Sequence, residues 1–200
     1  AGLWFDTSMS PGKPEPQYYI GSILTSTLLR QSTDGGLYHG PNVSPSEKYL
    51  RRITTMANVV TALPMNSILC DYLMFYPFID EGSTDEQFMI NSTSLSRYTD
   101  GKGVQMMPVI TNAGTGGQQF FVKYTNSDGV SGRISQTVTQ NTSTAVGAIM
   151  GSNTAIVNAS NPFIGLQSGD SGVRSIESVT MLGPDTGLFA LVLVKPLVQT

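Results

Sequence analysis

From residue 104 onward, apolar and polar side chains alternate with the period of two that a half-buried β-strand requires. Val104, Met106, Pro108 and Ile110 share one parity before Gly114-Thr115-Gly116-Gly117 interrupts the chain. Phe120, Val122 and Tyr124 then share a face, and beyond a turn Val130, Ile134 and Val138 share another. A three-residue loop, Ser127-Asp128-Gly129 with Gly129 left-handed, pairs Asn126 with Val130 and puts Val122 opposite Ile134, uniting the two apolar sets. Residues 67–79 are apolar on both parities, which suits a strand covered on both faces, with Asp71 the exception and Pro77 placing the far end at a sheet edge. Leu188–Val194 reads as a centrally buried strand ended by Pro196. Turns are expected at 168–172, between the strands around 163–166 and 173–181, and at 183–187. Residues 139–160 read as weak strands and loops.

The N-terminal third is less regular. Pro11, Pro14 and Pro16 forbid a helix and favour an extended arm over residues 1–17, whose apolar content is Leu3-Trp4-Phe5. Trp4 either anchors a partner or folds back on its own core. Residues 18–29 read as strand material interrupted by Gly21, followed by a turn-rich loop to Pro45. Ser44-Pro45-Ser46-Glu47 matches a helix start, and Ser83 with Glu86, or Thr84 with Gln87, matches a capping box for a short helix carrying Phe88 and Met89. Short strands separated by glycine turns predict a mainly β protein: an antiparallel β-sandwich or jelly-roll-like domain over 18–200, with the arm before it.

Composition changes the functional picture. Only 12% of the 200 residues are charged, about half the usual share, while Ser and Thr together number 43. Net charge is −3 and the basic residues are scattered, Arg51-Arg52 being the one adjacent pair, so nucleic-acid binding is not expected. No apolar run approaches membrane-spanning length. The N-terminus shows neither a basic nor an apolar leader segment, which fits a cytosolic chain. The single Cys70 lies in an apolar stretch and reads as a small core hydrophobe. Asn-x-Ser/Thr triplets at Asn42, Asn91, Asn141 and Asn158 arise readily in so Ser/Thr-rich a chain.

Few residues tempt toward chemistry. Asp80–Glu86 is the densest acidic cluster, but its spacing is not that of a calcium loop and it reads as a helix cap. Gly169-Asp170-Ser171-Gly172 is the tetrapeptide around the nucleophile of chymotrypsin-like proteases, and His39 precedes it. That motif continues with a further glycine, whereas Val173-Arg174 follow here, so a tight turn is the simpler reading. No glycine loop precedes a helix and no Cys/His set is spaced for zinc, so no catalytic residue, metal or cofactor is assigned. Phe75, Tyr76 and Tyr98 are the nominees for an aromatic glycan platform.

Several blocks are nevertheless familiar: Ser67–Leu73 running into Tyr76–Asp80, Arg97–Val104, Tyr124–Val130 and Gly169–Ser175. Together they resemble virion structural proteins of tailed bacteriophages, of the head-associated kind, across roughly residues 48–197. The resemblance implies a non-enzymatic capsid decoration or cement protein, oligomeric in the particle, whose partners are the major capsid protein and copies of itself. A tail, neck or baseplate component is the alternative within the same family of particles. The arm residues Leu3, Trp4, Phe5, Pro11, Pro14 and Pro16 are then the expected partner contacts.

Overall fold

The computed structural model describes residues 4–10, 16–30, 35–37, 40–41, 43–54, 66–140, 145–150 and 161–199. Within them lie eleven strands: β1 (Trp4–Phe5), β2 (Thr27–Leu28), β3 (Ile68–Asp80), β4 (Gln87–Phe88), β5 (Gln105–Asn112), β6 (Gln119–Asn126), β7 (Arg133–Ile134), β8 (Val138–Thr139), β9 (Ala148–Ile149), β10 (Val173–Met181) and β11 (Leu188–Gln199). One 3₁₀ turn, Thr7–Met9, is the helical element among the described residues. A six-stranded antiparallel sheet runs β1-β9-β5-β11-β3-β2, and a five-stranded one runs β4-β10-β6-β7 with β8 also on β6. The protein is thus mainly β, with two antiparallel sheets packed as a sandwich.

The long strands follow their hydrophobic patterns. Val104, Met106 and Ile110 enter the core between the sheets, where they meet Phe120, Val122 and Tyr124 from the facing sheet. On β11, Phe189, Leu191 and Leu193 face this core, while Ala190, Val192 and Val194 face a second one. That second core covers the other face of the large sheet with Tyr19, Leu29, Phe163 and the partly buried Trp4 and Met9. Residues 68–79 are covered on both faces, as their double parity requires: Leu73, Tyr76 and Ile79 join the first core and Phe75 the second. Rings cross both interfaces, Phe120 on Phe189 at 5.0 Å and Tyr19 on Phe75 at 5.3 Å.

Several expectations are corrected. Ser44–Glu47 starts no helix: residues 43–54 have no regular structure, because a short helix without an apolar face on a core is marginal in water. Ser83–Gln87 caps none either. The Gln87 amide clasps Asp80 at both backbone groups (2.8 Å each), and β4 pairs with β10, so sheet hydrogen bonds replace a short helix. Within 18–29 the strand shrinks to Thr27–Leu28, with Tyr19 and Leu24 at positive φ. Pro77 lies where the β3–β11 register shifts, and β2 pairs with β3 at Met74 and Phe75 and no further. Among the described residues the far end of β3 therefore has β11 alone as a paired strand, as expected; Pro196, by contrast, lies beside a further shift without ending β11. The 126–130 turn closes as expected, with Gly129 at φ 79° and Asn126 N–H donating to the Val130 carbonyl. Beyond it Gly132, at φ 71°, inserts an extra residue, so Ile134 pairs with Lys123 rather than Val122, and Ile134 and Val130 face solvent.

Candidate functional site

The described part of the expected arm is built into the molecule. β1 pairs with β9, and Asp6, buried under the sheet, gathers the residues around it. Its carboxylate accepts from the Tyr19 hydroxyl, the Tyr72 hydroxyl (2.8 Å) and the Ser8 N–H (2.9 Å). Burial, and then the nearby Asp6 charge, raise both tyrosines well above their ordinary values. Trp4 packs against the second core, whereas Phe5 is 51% exposed. Pro16 is half-buried; Leu3, Pro11 and Pro14 lie outside the described residues.

Gly169-Asp170-Ser171-Gly172 is a structural knot at one end of the sandwich. Asp170 accepts from Tyr124 Oη (2.5 Å), Asn126 Nδ2 (2.8 Å) and Arg133 Nε (2.9 Å). Burial alone would raise this carboxyl, but the Arg133, Tyr124 and Asn126 donors outweigh it and hold it at about 2. Ser171 Oγ shares a hydrogen with Ser127 Oγ at 2.9 Å, and its carbonyl accepts from Gly103 N–H. Gly172 packs so tightly that a Cβ would stand 2.1 Å from the Gly101 carbonyl oxygen. Glycine is required there by that approach. His39, Asn42, Asn141 and Asn158 lie outside the described residues.

The glycan nominees do not converge on an exposed platform. Phe75 and Tyr76 are buried on opposite sides of the large sheet, and Tyr98 alone is exposed, with the Lys195 ammonium 5.4 Å from its ring centre. Tyr76 Oη accepts the Ile176 N–H (3.2 Å) at a bulge in β10 and donates to Asn91 Oδ1 (2.7 Å), which makes it an inter-sheet strut.

The opposite end of the sandwich, closed by loops 80–87, 113–118 and 182–187, carries Asp80, Glu81, Asp85, Glu86 and Asp185 and no Lys or Arg in those loops. Lys123 reaches Glu86 from β6 at 2.8 Å. Asp185 accepts from Gly116 N–H (2.6 Å), Thr186 N–H (2.6 Å) and Thr115. Glu81 is 2% exposed, and its Oε1 has no hydrogen-bond partner; neither polar atom of the Gln140 side-chain amide has one. Burial pushes the Glu81 carboxyl up to about 7; the adjacent Gln140 amide opposes this from outside hydrogen-bond geometry, while Asp185 and Asp80 add to it. Among the described residues no group of three or more His, Cys, Asp or Glu is arranged to hold a metal ion.

The chain matches no family model, no curated protein and no solved structure. Its surface is therefore the guide to partners.

Residues 43–54 stand out there. All but Ile53 are exposed, with Tyr49 at 81% and Leu50 and Val43 also large and uncovered. Tyr49 donates to Glu47 and Lys48 to the Pro41 carbonyl, both local contacts. None of the twelve residues forms a backbone hydrogen bond with another described residue. Arg51 and Arg52 meet no carboxylate among the described residues. Sequence reasoning missed this segment by treating Ser44-Pro45 as a helix start. The usable signal was Tyr49-Leu50 beside the one Arg-Arg pair, apolar and basic residues together with no periodicity.

Proposed function

We propose that this protein is a non-enzymatic structural component of a virus particle, a capsid decoration or cement protein that binds the major capsid protein in the assembled lattice. The observation that carries the reading is the exposed segment 43–54, which holds Val43, Tyr49 and Leu50 in water away from both cores. Tyr18, Ile20 and Leu37 add exposed apolar area in the same N-terminal third, and Phe5 adds it from β1. Compact apolar anchors of this kind gain their free energy when a partner covers them.

The neutral polar surface supports the same reading. With 12% charged residues, covering the protein with neighbours requires the desolvation of few ions. Ser and Thr hydroxyls satisfy hydrogen bonds within such contacts. A protein that binds only assembled coat stabilises the shell by mass action. The tying of Asp170 and Ser171 into turn hydrogen bonds supports a structural role for the tetrapeptide.

The test is binding to purified coat shells that lack the protein. Full-length chain should co-sediment with shells and raise their thermal rupture temperature, and deletion of 43–54 should abolish both effects while the circular dichroism spectrum stays β. Failure of the full-length chain to bind any head lattice, or its location only at a tail in a particle reconstruction, would overturn the assignment.

A further inference from the structure

The basic segment and the acidic end point to one another, but on different molecules. Residues 43–54 carry Lys48, Arg51 and Arg52 against Glu47, a net charge of +2 in a chain of net −3. The acidic end carries five carboxylates, one of them Glu81, buried with an unpartnered oxygen. Among the described residues the cation that pairs there is Lys123, which is committed to Glu86. The far end is different: Asp71 and Asp170 there are matched by Arg97 and Arg133, and Lys102, Arg174 and Lys195 outnumber Asp100 and Asp128. The sandwich is thus electrically polarised along its strands. Among the described residues no ion pair joins Arg51 or Arg52 to the acidic end of the same molecule.

We infer that the protein associates with itself head to tail, the 43–54 segment of one copy lying over the acidic end of the next. Arg51 and Arg52 meet the carboxylates of loops 80–87 and 182–187, and Tyr49 and Leu50 lose their exposure against the loop surface. Contacts of this kind use two different patches on each copy, so they close into a ring if the rotation permits and otherwise extend as a filament. The inference deepens the structural role proposed above by naming one of the partners as a second copy. It stands or falls separately, because self-association is measured without any coat.

The experiment is sedimentation velocity with native mass spectrometry on the full-length chain, from micromolar to about 100 µM, at low and high salt. Wild type should assemble at about 50 mM NaCl and weaken tenfold or more at about 500 mM, as screening shortens the reach of the charges. Arg51→Glu with Arg52→Glu should be monomeric, as should Asp80→Lys with Asp85→Lys. Mixing the two charge-reversed proteins should restore a complex containing both. A wild type that stays monomeric at low salt, an arm variant that assembles like wild type, or a mixture of folded variants that stays monomeric overturns the inference. If the Asp80/Asp85 variant loses its β spectrum, the exposed Arg51/Arg52 variant decides alone. Assembly without shell binding would defeat the cement role only, and shell binding by a strict monomer would defeat only this inference.

Discussion

Replacing Glu81 by Gln should change how stability depends on pH, and the structure sets both sign and size. Glu81 is enclosed at the acidic end, where burial lifts its carboxyl from 4.5 to about 7. Between those values the folded state holds a proton that the unfolded state has released, so stability falls as pH rises. The contribution of the neutral carboxyl is fully present below about pH 4.5 and is lost as the pH rises through about 7. At about 1.4 kcal/mol per pH unit, that interval corresponds to roughly 3–4 kcal/mol. The other shifted carboxyls stay out of this window, since Asp170 is held at about 2 and Glu86 and Asp185 lie below their ordinary values. Urea unfolding of wild type and Glu81→Gln at pH 5, 6, 7 and 8 is the assay. The two midpoints should be similar at pH 5, and the variant should gain about 1–2 M at pH 8 for an m-value of about 2–3 kcal/mol/M. Because His39 is common to both proteins, the difference between them isolates Glu81. Parallel pH curves for the two proteins would refute the reasoning.

Three further outcomes follow from the same geometry. Gly172→Ala should lower stability by about 3 kcal/mol, because its Cβ meets the Gly101 carbonyl, whereas Ser171→Ala should cost only about 1 kcal/mol; thermal melts of the pair separate packing from hydroxyl loss. Asp6→Ala leaves two buried tyrosine hydroxyls and the Ser8 N–H without their acceptor and should cost about 3 kcal/mol, read as a drop in urea midpoint together with faster proteolysis near residue 10. Burial and the neighbouring Asp6 and Asp71 charges push the thiol of the half-buried Cys70 up to about 12, so iodoacetamide should label it at pH 8 far more slowly than it labels the urea-unfolded chain; equal rates in the two states would contradict the raised value.

The long strands were legible because burial dictates their pattern directly. β3 is apolar on both parities because two cores flank it, and β5 places alternate residues in one core because its neighbours do. The 126–130 turn was legible from Gly129, but the register beyond it was not, since Gly132 is as compatible with a plain strand as with the extra residue it inserts. Local helix signals at Ser44 and Ser83 failed for different reasons: one segment lacks a core to pack on, and the other is claimed by β10. Asp6 and Glu81 were invisible as buried groups, because Tyr72, which donates to Asp6, and Gln140, which packs beside Glu81, lie more than fifty residues away from them in sequence. What makes them distinctive is tertiary enclosure, which no local spacing encodes.

The order of strands in the large sheet has a consequence for biosynthesis. β11 sits between β5 and β3, yet Asp80 must wait for Leu188, and Ile68 for Gln199. At ribosomal speeds of about 5–20 residues per second, that gap lasts roughly 5–26 s. Throughout it β3, joined after Asn112 by β5, has no central neighbour, and their apolar faces stay open to the wrong companions. Folding should be late and slow, as expected when distant segments must meet before any of their contacts pay off. A nascent chain halted before residue 188 is therefore the species most prone to aggregate and most in need of a chaperone.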